Sequence, residues 1–207
     1  MVVLGGANEA ENIVVVRIHG VHLILLIVGV VGYLGISKID SHLEEISGNR
    51  LPSIYSLEII KEAQTAIKAA NRTMLIPSDS IEQLNHERDN VQKAFEKVDK
   101  AWKVYDLLPQ TKEEEVLWKK FVPQWEAWKK DALKVGEMTT EFHKTNSQDA
   151  YNQMVQFNLT TLSTKFKAAE ETLNKIIELN DRVAQEEKVE SLQAQQLQNL
   201  VGQFRIS

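Results

Sequence analysis

The sequence predicts an all-α protein, with an N-terminal transmembrane helix followed by an up-down-up-down four-helix bundle. Three observations predict it. Of 207 residues only 9 are Gly and 4 are Pro, too few breakers for a sheet with many turns, while Glu, Lys, Gln, Ala and Leu abound. From Ile13 to Ile36 the chain is almost wholly apolar, whereas the remainder interleaves charges of both signs. Beyond it, apolar residues recur at spacings of three and four in four segments of roughly 30 residues, joined by three short turns.

Residues 1–12 form a short leading segment, and residues 13–36 the membrane helix. About 24 helical residues span roughly 36 Å, enough for a bilayer core of ~30 Å. Arg17, His19 and His22 sit in its first half, within reach of a headgroup layer. Only Gly35-Ile36-Ser37-Lys38 follows, with no small-residue cleavage site, so an uncleaved anchor is expected. The leading segment contains no Lys or Arg, and charge bias therefore assigns no orientation.

Residues 37–187 supply the bundle. Its first helix runs from Lys38 to about Leu75, with Ile39, Leu43, Ile46, Leu57, Ile60 and Ile67 on one stripe. A kink or short break is expected near Arg50-Leu51-Pro52. Ile76 to Ser80 is a turn, capped by Ser78 or Ser80. The second helix carries Leu84, Val91, Phe95, Val98, Trp102 and Tyr105, and stops before Pro109, which has no N–H to continue it. Thr111 offers an N-cap, and Glu114 three residues on completes a capping-box spacing. So short a connection sets the second and third helices antiparallel. The third helix spans about Lys112 to Phe142, with a bend predicted at Pro123. After a polar turn at His143 to Gln148, the fourth begins near Ser147 or Gln148 and extends toward Val201.

The composition excludes several classes of chemistry. Net charge is -5 with no basic patch, so no nucleic-acid partner is expected. Cys is absent, which removes disulfides, thiolate metal sites and iron–sulfur clusters. A dimetal carboxylate bundle needs Glu-x-x-His pairs, and none occurs; Glu82 and His86, four apart, read as a solvated face. No Gly-rich phosphate loop or nucleophile motif is present. No catalytic residue, metal site or cofactor is therefore expected, and the chain does not read as an enzyme. Two groups remain as candidates. Trp102, Trp118, Trp125 and Trp128 read first as bundle core, with a ligand pocket as the alternative. Asn71 and Arg72 lie one turn before the turn at 76–80, with Arg88 on the neighbouring helix; an arginine aimed between helices can hold a carboxylate.

A transmembrane helix followed by Glu-Glu-Ile-Ser-Gly-Asn-Arg-Leu-Pro-Ser-Ile at 44–54 and Ala-Ala-Asn-Arg-Thr-Met-Leu at 69–75 resembles the four-helix-bundle sensor region of bacterial methyl-accepting chemotaxis receptors. The stretch Ala101 to Trp128, with its Leu-Pro-Gln-Thr turn and paired tryptophans, is similar to one branch of that family. Ile177-Glu178-Leu179-Asn180-Asp181-Arg182 resembles the end of its fourth helix, and Gln195 to Ile206, within the helical tail 188–207, resembles the receptors' C-terminal tail. In that family a second transmembrane helix and a cytoplasmic signalling hairpin lie between these last two parts, and neither is found here.

The resemblance implies a single-pass protein of the bacterial inner membrane, held by residues 13–36, with its bundle on the periplasmic face. It implies a small-molecule or binding-protein ligand at the distal end. It further implies a homodimer, or a mixed dimer with full-length receptors, paired through the first and fourth helices. A second expectation, from another class, is a structural remnant that senses nothing and only forms mixed helical bundles with intact receptors.

Overall fold

The computed structural model describes residues 6–77 and 80–203. It is 93% helical, with no strand among the described residues. The elements are α1 (Gly6–Glu44), a π-helical turn (Glu45–Arg50), α2 (Leu51–Thr73), α3 (Ile81–Tyr105), α4 (Lys112–Thr145), α5 (Gln148–Phe157), a second π-helical turn (Asn158–Leu162) and α6 (Ser163–Gln203). They fall into two compact units. One joins Met1–Ile46 to Gln185–Ser207, and the other is Ser47–Ala184.

In the first unit, α1 holds the one described helix long and apolar enough to cross a membrane; its apolar window is 0% buried within the protein. Leu23, Leu26, Val30, Tyr33 and Leu34 are all exposed. So continuous an apolar surface suits lipid better than water. Further along, His42 pairs with Glu187 and Glu190 of α6.

The second unit is the bundle, its four rods being α2, α3, α4 and the run from α5 into α6. Leu57, Ile60 and Ile67 face inward against Val91, Phe95, Val98, Phe121, Trp125, Phe166 and Leu173, in one continuous core. The turns obey local chemistry. Ser80 caps α3 by accepting from the Gln83 amide, which selects it over Ser78, a residue outside those described. Thr111 and Glu114 form the reciprocal capping box. Asn146 closes α4 at φ 47°, a left-handed conformation that asparagine tolerates. Ser147 then caps α5, so the third turn is Asn146-Ser147 alone, shorter than the predicted 143–148.

Of the kink or short break predicted near Arg50–Pro52, the break does not occur. Instead the helix widens into the π-helical turn Glu45–Arg50, and Pro52, which has no N–H to donate, follows directly after it. The second π-helical turn, at Asn158–Leu162, leaves no mark in the apolar periodicity. α4 passes through Pro123 without interruption.

Candidate functional site

The end of the bundle where α2 ends and α3 begins, and where the 146–147 turn lies, holds a cavity of about 410 Å³. The last turns of α2 supply Asn71 and Met74, the early turns of α3 supply Arg88 and Val91, and α4 supplies Ala132, Leu133, Gly136, Glu137 and Thr140. Arg88 is half-buried. Its Nη2 donates to the Gly136 carbonyl at 3.1 Å and to Thr140 Oγ1 at 2.6 Å. Its Nη1 donates to Asn85 Oδ1 at 3.1 Å. The guanidinium is thus held against α4 by groups that leave its charge uncompensated. Gly136 keeps the wall open: a Cβ there would stand 3.7 Å from Arg88 Nε, ordinary contact, and a longer side chain would grow into the cavity.

Asn71 is fully buried. Its Nδ2 donates to the Ala132 carbonyl at 3.2 Å, which fixes the orientation of the amide. Its Oδ1 is then left with no partner in the protein. A buried acceptor without a donor costs about 1–3 kcal/mol, so this oxygen calls for an N–H or O–H from something in the cavity.

Of the three distal residues expected from sequence, Asn71 and Arg88 come together here. Arg72 does not. It is exposed and lines a narrow cleft on another side of α2, with Lys68, Trp128, Asn158 and Phe166. Trp118, Trp125 and Trp128 are buried and Trp102 half-buried. Their rings form a column with Phe95, Phe121 and Phe166, Trp102 and Trp118 lying 4.5 Å apart and Trp125 and Trp128 5.0 Å apart. They are core.

At the opposite end lies a polar node absent from the sequence-based expectations. Glu114 is 0% exposed. Its Oε2 accepts from Arg50 Nη1 at 2.9 Å and from the Thr111 amide at 3.2 Å. Its Oε1 accepts from the Tyr105 hydroxyl at 2.6 Å and from Asn180 Nδ2 at 2.8 Å. Arg50 Nη1 also donates to Asn180 Oδ1 at 2.9 Å. The node joins the start of the first rod to α3, α4 and α6, and gives every lone-pair direction of the buried carboxylate a donor. One signal for it existed: Arg50 and Asn180 both lie in the segments that carry the receptor resemblance.

Burial, and then the hydrogen bond to Glu114 and its negative charge, push the Tyr105 phenol well above its ordinary value of 10.0. The unfolded phenol ionises near pH 10 while the folded one keeps its proton. Above that pH the unfolded state binds fewer protons, so stability falls as pH rises, by at most ~1.4 kcal/mol per pH unit. Melting curves from pH 9 to 11 should show this fall, and Tyr105→Phe should flatten it. An unchanged slope in the variant would remove the phenol from the account.

A family model for the four helix bundle sensory module for signal transduction matches residues 15–194. The chain belongs to this family. A search of the curated proteins finds no match. The match covers nearly the whole chain, from the apolar helix through all four rods, and the family is one of signal transduction rather than catalysis. In this sensory module the cavity, between α2, α3 and α4, and the polar node, which adds α6, lie at opposite ends of the bundle.

Proposed function

We propose that this sensory module is tethered to the bacterial inner membrane by residues 13–36 and senses a small molecule in the Asn71–Arg88 cavity, as chemotaxis receptors of this type do. The observation that carries the proposal is the pairing, in one cavity of about 410 Å³, of a half-buried guanidinium with a buried acceptor that has no partner. That volume lies within the range of small-ligand sites. Arg88 favours an anionic or strongly accepting group, and Asn71 Oδ1 favours a donor. Met74, Val91, Ala132 and Leu133 supply apolar wall between the two. A ligand bridging α2, α3 and α4 shifts the population toward one offset of these helices. The polar node ties all four rods together, so an offset is shared at the end where the chain enters and leaves the bundle. Output passes to a paired subunit, either a second copy or an intact receptor.

The test is a melting-shift screen of the full chain in detergent against organic acids, amino acids and aromatic carboxylates. A ligand at a hundredfold excess over its Kd should raise Tm by about 5–10 °C. The rise should vanish in Gly136→Leu, which fills the cavity, and shrink in Arg88→Gln. Silence across the screen, with the protein folded, favours the non-sensing remnant. Stabilisation that survives both substitutions moves the site elsewhere.

A further inference from the structure

A second polar feature lies on the other side of α2, away from the Asn71–Arg88 cavity. The cleft lined by Lys68, Arg72, Trp128, Asn158, Ser163 and Phe166 encloses about 10 Å³, room for one occupant the size of a water molecule. Two donors buried beside it have no partner in the protein: Trp128 Nε1, on a residue 0% exposed, and Asn158 Nδ2, on a residue 4% exposed. An indole N–H can only donate. Lys68 sits with its ammonium 3.8 Å from the centre of the Phe166 ring, held at the cleft by the aromatic face. Arg72 adds a second positive charge. None of the described residues that line the cleft is acidic.

A water there would accept from the two buried donors and then need acceptors for its own two hydrogens, in a lining that is mostly donors. A monatomic anion has no hydrogens to place, uses every donor, and offsets two cations. We propose that this cleft is a binding site for a monovalent anion of chloride size, held by Trp128 Nε1–H and Asn158 Nδ2–H with Lys68 and Arg72 at its rim.

The position gives the site a structural consequence. Asn158 opens the π-helical turn Asn158–Leu162, and a π-helical turn leaves the rod a residue out of step with an ordinary α-helix. An anion bonded to Asn158 and Trp128 pins that turn to α4 and α2. Arg72, at its rim, follows directly on Asn71, which lines the ligand cavity.

The experiment uses the full chain in detergent, crystallised and soaked in bromide, with parallel melts at fixed ionic strength. A bromide anomalous peak within hydrogen-bond reach of Trp128 Nε1 and Asn158 Nδ2 is expected. Replacing methanesulfonate, a monovalent anion too large for the void, by chloride should raise Tm by about 2–4 °C. The rise should be lost in Asn158→Leu, which removes a donor. It should be at least halved in Arg72→Gln, a surface substitution that leaves the core intact. Ordered water with no anomalous peak, or a Tm indifferent to halide, overturns the proposal. An equal rise with acetate assigns the cleft to a carboxylate instead, and overturns the chloride-size claim.

Discussion

Replacing Arg50 by alanine is expected to destabilise the bundle by about 3–5 kcal/mol, the cost of leaving a buried carboxylate without its cation. For a protein of this size that is a fall in Tm on the order of 10 °C. The size of the effect follows from burial. The Arg50 and Glu114 side chains are 4% and 0% exposed, so solvent cannot replace what the substitution removes. Surface pairs behave otherwise. Arg182 and Glu113, 3.0 Å apart but well exposed, should contribute less than ~1 kcal/mol when cut. The double variant Arg50→Met with Glu114→Leu separates charge from packing. It removes both charges, yet takes the carboxylate acceptor from the Tyr105 hydroxyl and from Asn180, whose amide keeps the Ile176 carbonyl, each lost bond costing about 1 kcal/mol. Its loss should therefore fall well short of the sum of the two single losses. Melts of the three variants, followed by circular dichroism, decide the matter: a single Arg50→Ala loss below 1 kcal/mol would mean the node is wetter or looser than its geometry.

What could be read in advance was whatever a few neighbouring residues decide. Thr111 and Glu114 declare a helix start because the capping box needs only residues three apart. Apolar stripes declare four rods, and short turns their antiparallel order. The bringing together of Asn71 and Arg88 follows from the same logic, since both lie near one turn on adjacent rods. Arg72 shows the limit. Successive residues on a helix point about 100° apart, and here that step carries Arg72 away from the cavity that Asn71 lines and round to the narrow cleft. The π-helical turns were not legible either, because a one-residue widening of the hydrogen-bond ladder changes no side-chain type. Least legible was the second role of Glu114. Its capping function is local, but its burial depends on how Arg50, Tyr105 and Asn180 rotate on three other rods, and no window along the chain contains that information.

Trp125→Ala is expected to cost about 3–5 kcal/mol, comparable to the loss of Arg50 but for a different reason. Trp125 is 1% exposed and meets Phe95, Trp102, Phe121 and Trp128, with ring centroids between 5.0 and 6.3 Å. Truncation removes a large apolar surface and leaves a void that four ring neighbours, themselves packed, cannot close. The rival reading of the tryptophans as a ligand cage makes the opposite prediction. A cage wall is lost with little cost to the empty protein and a large cost to binding. A core residue is lost with a large cost to the empty protein, while a ligand bound in the separate Asn71–Arg88 cavity still stabilises what remains folded. Leu107→Ala is the control: it is 85% exposed and should move Tm by less than 2 °C. If Trp125→Ala melted within that margin of the unsubstituted protein, the aromatic column would not be the structural spine of the bundle, and the tryptophans would again be candidates for the binding site.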